Sequence, residues 1–265
     1  MFEGRLQGGP NRMLRHVIAT LVLLALGIDV APAGEIRVLA AVAVKDPLDR
    51  FAQAFARATG HQVDIGYSLT GPILADIKAG KPADAIVLPE QGKVALVGAG
   101  LLEDPVPVAA SLAGVGVRAD APTPDVSTLE AFKALLRAAP SISYTDPKSG
   151  GAFGQYFARA LIEIGMADEV ARKAVLVPGS NRVVMAIVKG EAAIGITFKS
   201  AIVTTAGLKF AGTLPHPLED REPFTAGVLK STKEPDIARA FVASLTVPAA
   251  AAVWTERGFA MPASH

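Results

Sequence analysis

The chain has 265 residues, no cysteine and a formal net charge of +1; taking away residues 1 to 33 leaves 23 basic and 23 acidic residues. A neutral balance argues against nucleic acid or an anionic membrane surface as the partner, because both select for a basic excess. Without cysteine, the fold depends on packing and not on disulfides.

The N-terminal segment, residues 1 to 33, has the pattern of a cleavable signal peptide. Arg12 and Arg15 precede the apolar stretch "VIATLVLLALGI" (17 to 28), and "APA" (31 to 33) supplies small residues for cleavage after Ala33. A retained membrane anchor is the less favoured alternative, because the stretch is short. Met13 is an alternative start. We therefore expect an exported, soluble, periplasmic protein.

Short apolar runs alternate with longer amphipathic segments in the first part of the chain. The pattern predicts strands at 35 to 42, 62 to 67 and 84 to 88, and helices at 46 to 60, 71 to 80 and 90 to 100. Strands and helices that alternate through short connections indicate right-handed parallel crossovers. We therefore predict an α/β sheet that is covered on both faces.

A break at 103 to 125 contains an apolar strand and a proline-rich loop, after which the alternation restarts. The later segments are helices at 128 to 139, 156 to 165 and 181 to 190, strands at 141 to 145, 173 to 178 and 192 to 198, and three final segments at 224 to 230, 235 to 246 and 248 to 259. These final segments would return to the first unit. We predict two α/β lobes with mainly parallel sheets joined by a hinge: lobe 1 at 34 to 112 plus 223 to 265, and lobe 2 at 113 to 222.

The loops that follow the strands are the expected binding region, because ligands of open parallel sheets bind at the carboxyl ends of the strands. These loops read "AVAVKD" (41 to 46), "SLTG" (68 to 71), "SGGAF" (149 to 153), "GSNR" (179 to 182) and "FKS" (198 to 200). Three of them open a predicted helix with Ser, Thr or Gly, and helix N-termini that converge make a cage for an anion. The alternative is that each is an ordinary N-cap.

The glycine-rich joint within "YTDPKSGGAFGQYF" (144 to 157) is the most distinctive loop. Gly150 and Gly151 would let backbone amides approach an oxyanion, and Ser149 would add a hydroxyl. The alternative is that the glycines only make a turn. Arg182 and Lys199 would add positive charge, and the planar fork of arginine suits a carboxylate. Both side chains could instead be exposed or structural.

Catalytic and metal-binding patterns are scarce in this sequence. None of the four histidines has the nearby partners of a zinc site, and no Walker loop, dinucleotide fingerprint or nucleophile elbow is present. We therefore expect no cofactor, no metal and no enzymatic turnover. An exported serine hydrolase using Ser149 is the alternative from another class.

Four segments carry a resemblance to a known family: "IRVLAAVAVKDPLDRFAQAFARATG", "ADIKAGKPADAIVLPEQ", "VVMAIVKGEAAIGITFKSA" and "AFVASLTVPAAAAVWTERGF". In this order they resemble the periplasmic molybdate-binding proteins, which are type II solute-binding proteins of ABC importers. The resemblance covers essentially the whole mature chain. It implies the type II periplasmic-binding-protein fold, a small anionic ligand and an ABC transporter permease as partner. We expect a monomer that binds no nucleic acid.

The resemblance also implies a set of ligand-binding positions. The family serine of the first loop is Ala43 here, the second loop keeps hydroxyls at Ser68 and Thr70, and the third corresponds to Ser149, Gly150 and Gly151. A backbone donor falls at Asn181, and the family tyrosine is Phe198, beside Lys199. Molybdate or tungstate is the first expectation. Because two hydroxyls are lost, a small di- or tricarboxylate held by Arg182 is the alternative.

Overall fold

The computed structural model describes residues 33–149 and 152–262, without the side chain of Ala152. Apart from Ala33, the predicted signal peptide lies outside the described residues, as do Gly150 and Gly151. Gly34–His265 belong to one compact unit. In the described part of the chain, no helix is both long and apolar enough to cross a bilayer.

Strands and α-helices alternate along most of the described chain. The strands are β1 (Glu35–Ala41), β2 (Gln62–Ser68), β3 (Ala85–Pro89), β4 (Leu102–Arg118), β5 (Ile142–Thr145), β6 (Ala174–Val177), β7 (Ile194–Phe198), β8 (Leu208–Thr213) and β9 (Arg221–Leu229). The helices are α1 (Lys45–Thr59), α2 (Thr70–Lys78), α3 (Glu90–Gly98), α4 (Leu129–Ala138), α5 (Ala152–Glu163), α6 (Ala167–Ala171), α7 (Ser180–Val188), α8 (Lys199–Val203), α9 (Pro235–Ser244) and α10 (Ala250–Glu256). The turns Val42–Val44 and Pro147–Ser149 are short 3-10 helices.

Helix α1 follows directly from its sequence pattern. It buries Leu48, Phe51 and Phe55, whose spacing of three and four residues places them on one face. Gly60 ends the helix in a left-handed conformation with φ of 80°, which glycine adopts without strain, and its amide donates to the carbonyl of Ala56. The predicted end at Gly60 is confirmed.

The strands form one mixed sheet with a parallel group in each half. The order in the first half is β2-β1-β3-β9-β4, where β1 runs parallel to β2 and β3 and β9 runs antiparallel to its neighbours. The order in the second half is β4-β7-β5-β6, where β5 runs parallel to β6 and β7. The predicted α/β fold with parallel strands is confirmed, and antiparallel strands join the two halves.

The long strand β4 serves both halves of the sheet. Residues 102 to 112 pair with β9, and residues 113 to 118 pair with β7 and β8. The break that the sequence predicted at 103 to 125 was therefore wrong for its first part. Pro105 and Pro107 lie in this part of the strand, and the pairing register shifts beside both of them. Such bulges admit proline within a strand, because the displaced residue makes no ladder hydrogen bond.

Two hydrophobic clusters pack in the unit, one in each half. The first draws its residues from 36 to 109 and from 224 to 259, and the second from 113 to 218. The chain passes from one cluster to the other along β4 and again in the segment that leads into β9. The C-terminal helices return to the first cluster, where Phe241 and Trp254 are fully buried. The division of the unit into two lobes stays a prediction.

Three elements were missed from the sequence: β8, α6 and α8. The two helices have five residues each, which is too few to show a helical period. β8 pairs with β4 at a close approach of two glycines, since a Cβ at Gly114 would lie 2.2 Å from the carbonyl oxygen of Gly212. Five of its six residues are half-buried, without the alternation of buried and exposed residues that is typical of a strand. Burial therefore gives no strand pattern that the sequence could have shown.

Candidate functional site

The carboxyl ends of β1 and β2 bring three of the predicted site residues together. The two strands are parallel and Ala41 pairs with Ser68, so the turn that contains Ala43 lies beside Ser68. Ala43 is exposed, whereas Ser68 and Thr70 are half-buried. The loops that carry these three residues therefore begin at the same end of the sheet, and their role in binding stays a prediction.

Helix α2 begins without a side-chain cap. Its N-cap position is Leu69, whose side chain cannot accept a hydrogen bond, and Thr70 is already the first helical residue. The alternative that this loop is an ordinary N-cap supplied by a hydroxyl side chain is therefore wrong for α2. The first amides of α2 lack a side-chain acceptor at the edge of the sheet where β1 and β2 end.

A polar cluster of Lys45, Asp49 and Tyr67 joins the start of α1 to the end of β2. The Tyr67 hydroxyl and Lys45 Nζ each donate to a different Asp49 carboxylate oxygen at 2.7 Å. Partial burial opposes ionisation of Asp49, but the hydrogen bonds from Lys45 and Tyr67 outweigh it and hold the pKa of its carboxyl below the ordinary value. Burial and the hydrogen bond to Asp49 raise the pKa of Tyr67. The cluster fixes the two loops that carry Ala43 and Ser68.

The second half of the sheet brings three further loops to one edge. β7, β5 and β6 are adjacent and parallel, so Phe198, Thr145 and Val177 end them on the same side. The Asp146 amide donates to the Val177 carbonyl at 2.9 Å, which holds the loops after β5 and β6 side by side. The loops with Ser149, Asn181 and Phe198 therefore start at a common edge.

Ser149 is exposed at the end of a 3-10 turn, and its hydroxyl is already used. The hydroxyl donates to the Asp146 carbonyl at 2.7 Å. A hydroxyl has one proton, so Ser149 can offer a ligand only an acceptor. Among the described histidines, His61 and His216 have other partners, and neither contacts Ser149. Among the described residues, no histidine is therefore in place to act as a general base for Ser149.

Gly154 is explained by packing alone. A Cβ at this position would lie 2.5 Å from the carbonyl oxygen of Thr145, so α5 can begin against the end of β5 only because residue 154 has no side chain. Part of the glycine-rich pattern thus has a structural reason. The proposed amide donors of Gly150 and Gly151 lie outside the described residues and stay a prediction.

Helix α7 also starts without a side-chain cap. Gly179 is its N-cap, and Ser180, which could have capped it, is the first helical residue. The first amide bonded back to Gly179 belongs to Arg182, at 3.1 Å, so the Ser180 and Asn181 amides precede the helical ladder. The side chains of Asn181 and Arg182 are exposed.

Phe198 and Lys199 form the junction between β7 and α8. Phe198 is half-buried and packs on Phe153, with ring centres 4.9 Å apart. Lys199 Nζ lies 5.3 Å from the centre of the Phe210 ring, a cation–π contact that turns the ammonium towards β8. The Lys199 ammonium, which the sequence analysis assigned to a ligand, thus lies over an aromatic ring.

The sequence analysis missed Arg257 and Gly258, which follow α10. Arg257 Nε lies 2.9 Å from Asp46 Oδ2, at the start of α1. Gly258 packs on the start of α8, where a Cβ would lie 2.8 Å from the Ser200 amide nitrogen. The turn therefore contacts the loop after β1 and the loop after β7, which belong to different hydrophobic clusters. No sequence signal could reveal this, because the partners lie about 60 and 210 residues away.

The described residues contain no group of three or more His, Cys, Asp or Glu side chains that could hold a metal ion. The hydrogen-bond donors at the strand ends are hydroxyls, backbone amides and cations, and the carboxylates of Asp46, Asp49 and Asp146 lie beside them. This set of donors suits an anion bound through hydrogen bonds.

Comparisons with known proteins bear on both fold and family. A curated aconitate isomerase from a Pseudomonas species is 26% identical over 238 residues, which cover 86% of this chain and 88% of that protein. A solved substrate-binding domain assigned to a molybdenum ABC transporter of Clostridium difficile has a TM-score of 0.76 at 18% identity, covering 87% of this chain and 100% of that one. The periplasmic molybdate-binding protein of Azotobacter vinelandii has a TM-score of 0.66 at 22% identity, with 86% and 100% covered.

The two solved structures show that this chain has the fold of periplasmic binding proteins, as the resemblance implied. The family model described as "Bacterial extracellular solute-binding protein" matches residues 36–260, which is nearly all of the described chain. The chain belongs to the family of bacterial extracellular solute-binding proteins.

Proposed function

We propose that this chain is the periplasmic receptor of an ABC importer and that it binds a small anion between two lobes. Lobe 1 comprises residues 34 to 112 plus 223 to 265, and lobe 2 comprises residues 113 to 222. The two lobes close on the bound anion. The family supports the receptor role. The two hydrophobic clusters support the lobes, since each packs on its own parallel strands. The partner is the permease to which the receptor delivers its solute.

The uncapped starts of α2 and α7 are the observation on which an anionic ligand depends most. Both helices have nine residues, and neither has a side-chain acceptor at its N-terminus. Among the described helices, α4 is capped by the hydroxyl of Thr128, whereas α1, α3, α6, α8, α9 and α10 also start without a side-chain cap. The starts of α2 and α7 are singled out because they follow β2 and β6 at the ligand loops predicted from the sequence. Free amides at the positive end of a helix favour a negatively charged group. Thr70 and Asn181 are the proposed donors on the two sides.

Of the two ligand classes that the sequence left open, we favour an organic di- or tricarboxylate over molybdate. Ala43 and Phe198 have no hydroxyl, and the Ser149 hydroxyl is donated to a backbone carbonyl. A tetrahedral oxyanion would lose hydrogen-bond donors on three sides. The curated relative also supports this choice, because aconitate is a tricarboxylate.

A thermal-shift screen of the purified protein tests the ligand class. Tricarballylate, citrate, cis-aconitate and trans-aconitate should raise the melting temperature, whereas molybdate, tungstate and sulfate should not. At a concentration of 100 times Kd the stabilisation is about 2.7 kcal/mol, which is roughly 5 to 10 °C for a chain of this length. Stabilisation by molybdate or tungstate alone would contradict the proposal and restore the first expectation from the sequence.

A polycarboxylate isomerase is a second candidate function, favoured only by the name of the curated relative. The two candidates differ in a simple experiment. The purified protein is incubated with cis-aconitate, and the proton NMR spectrum is followed for trans-aconitate against a protein-free sample. A receptor binds saturably and leaves the ratio of isomers at the level of the blank. Formation of trans-aconitate above that level would identify an enzyme.

A further inference from the structure

Arg257 lies where the loops of the two hydrophobic clusters meet. Its Nε is buried and lies 2.9 Å from Asp46 Oδ2, but the N–H does not point at that oxygen, so the contact is an ion pair and not a hydrogen bond. Asp46 is the second residue of α1 and follows Ala43 by three positions. The guanidinium is therefore held beside the end of β1.

The next residue fixes the other side of the same turn. Gly258 has φ of 82° and packs so closely on α8 that a Cβ would lie 2.8 Å from both the amide nitrogen and the Cα of Ser200. Ser200 follows Phe198 by two positions. Arg257 thus enters the structure between the start of α1 and the start of α8, at the edge where both proposed ligand loops begin.

The guanidinium of Arg257 has unused donors in a largely enclosed place. Its side chain is 21% exposed, whereas the carboxylate of Asp46 belongs to a side chain that is 55% exposed. Within the described residues, no hydrogen bond from the two terminal nitrogens is found. Guanidinium groups stay protonated and carry five N–H donors. Of the Arg257 nitrogens, only Nε is both buried and without a hydrogen bond within the described residues, so the two terminal nitrogens are accessible to solvent and to a ligand.

The two cations predicted from the sequence are less suited to this task. Lys199 Nζ lies over the Phe210 ring. Arg182 is on the exposed first turn of α7, where ordering a long side chain around a ligand carries an entropic penalty. Arg257 is already held in place by Asp46. Its end-on pair of N–H groups matches the two oxygens of a planar carboxylate.

We propose that Arg257 binds one carboxylate of the ligand through its terminal nitrogens, while Asp46 holds the guanidinium in position. This inference rests on the proposed polycarboxylate receptor and adds a residue that selects carboxylates. A receptor for a carboxylate needs a planar, bidentate partner at one end of its site. Arg257 supplies it from the C-terminal turn.

The test combines protein variants with matched ligands. Kd values are measured by calorimetry for wild type, Arg257→Gln and Arg257→Lys with tricarballylate, with glutarate, which lacks its central carboxyl, and with methylsuccinate, which lacks a terminal one. Arg257→Gln should weaken tricarballylate binding by about 10- to 100-fold, the range expected for losing hydrogen bonds to a charged group. Arg257→Lys keeps the positive charge but loses the planar pair of N–H donors. Its Kd for tricarballylate should therefore lie between those of wild type and Arg257→Gln.

A thermodynamic cycle separates ligand contact from structural support. For whichever dicarboxylate lacks the carboxyl that Arg257 holds, Arg257→Gln should cause no more than about a twofold further loss. A structural role would weaken binding of all three ligands by the same factor, and that result would overturn the inference. Arg239→Gln is the matched control, because Arg239 is also ion-paired, with Glu103 at 3.5 Å, but is 49% exposed and lies on α9.

The remaining outcomes distinguish this inference from the function on which it rests. If wild type binds tricarballylate and both Arg257 variants bind it equally well, Arg257 has no role and the receptor proposal stands. If wild type binds none of the three acids, the ligand class fails, and the role of Arg257 fails with it. Far-UV circular dichroism and urea unfolding of the ligand-free variants show whether each is folded. Arg257→Lys decides the outcome if Arg257→Gln does not fold.

Discussion

At the scale of single residues, polar side chains in the candidate site differ in whether their hydrogen-bond donors and charges are already engaged within the protein. The Ser149 hydroxyl donates to a backbone carbonyl and the Lys199 ammonium lies on an aromatic ring, although the sequence marked both for the ligand. Arg257, which the sequence did not mark, keeps its terminal nitrogens unused among the described residues. Composition of a loop therefore predicts which groups are near a site but not which of them are free.

Glycines likewise differ in whether the surrounding structure leaves room for a side chain. Gly154→Ala should lower the free energy of unfolding by about 1 to 3 kcal/mol, the usual range for overpacking, because the new Cβ would lie 2.5 Å from the Thr145 carbonyl oxygen. Gly98→Ala is the control, because Gly98 is also helical and a Cβ there would have no atom within 4 Å apart from its chain neighbours and the nearby helix backbone. Alanine at this position should be neutral or stabilising by up to about 1 kcal/mol. Urea unfolding measures both, and equal effects would contradict this account.

At the scale of elements, side chains between loops hold the strand ends in register. The cluster of Lys45, Asp49 and Tyr67 connects α1 with the end of β2, so it positions two proposed ligand loops at once. The Tyr67–Asp49 contact joins groups from different elements, 18 residues apart in the chain, whereas Lys45 and Asp49 both lie on α1. A helix pattern or a strand pattern predicts each element alone, whereas the bond between them depends on the parallel pairing of β1 and β2.

Tyr67→Phe tests this cluster. The variant should lose about 1 kcal/mol of unfolding free energy at pH 7, since it removes a hydrogen bond to a carboxylate. The folded-state pKa of Asp49 is lowered, so its contribution is present above about pH 4 and is lost as the pH falls through the folded value. The difference in unfolding free energy between wild type and Tyr67→Phe should therefore be smaller at pH 3 than at pH 7.

Urea unfolding at both pH values measures this difference. Tyr156→Phe is the control, because the Tyr156 hydroxyl donates to the neutral Leu218 carbonyl at 3.0 Å. Its loss should be similar at pH 7 and pH 3. A gap for Tyr67→Phe that stays constant from pH 7 to pH 3 would show that Asp49 is not the relevant partner.

At the scale of the whole molecule, the chain crosses twice between the two hydrophobic clusters. β4 makes one crossing, and the segment entering β9 makes the other, where the Asp220 carbonyl accepts from the Ala113 amide at 3.1 Å. Burial raises the pKa of Asp220, and burial together with Asp220 raises the pKa of Glu222. Two acids with raised pKa values therefore flank the second crossing.

Asp220→Asn and Glu222→Gln should each raise the melting temperature at pH 7.5. A raised folded-state pKa means that the native protein holds the proton more tightly than the unfolded chain. Stability is therefore lost as the pH rises from about 4 through the folded value, and a neutral amide avoids this loss. The gain should disappear at pH 3, where the wild-type acids are protonated.

Differential scanning calorimetry at pH 7.5 and pH 3 measures the gain. The exposed Glu191→Gln is the control and should change the melting temperature little at either pH. A gain for Asp220→Asn and Glu222→Gln that is as large at pH 3 as at pH 7.5 would mean that ionisation of these acids is not its cause.

The sequence by itself determined the alternation of strands and helices, the parallel groups and the family. These follow from local spacing of apolar residues, from capping glycines such as Gly60, and from the order of segments. It also predicted that the ligand loops follow the strands, because ligands of open parallel sheets bind at the carboxyl ends of the strands. The continuity of β4 through Pro105 was missed, because a bulge is visible only in the pairing.

Tertiary structure alone decided which polar groups meet. Arg257 reaches Asp46 across about 210 residues, and Gly258 meets Ser200 across a junction between two hydrophobic clusters. Such contacts depend on the packing of distant elements, which local periodicity does not encode. The same packing engages Ser149 and Lys199 elsewhere. Local chemistry thus fixed the elements and the edge at which they end, and long-range packing selected the side chains available there.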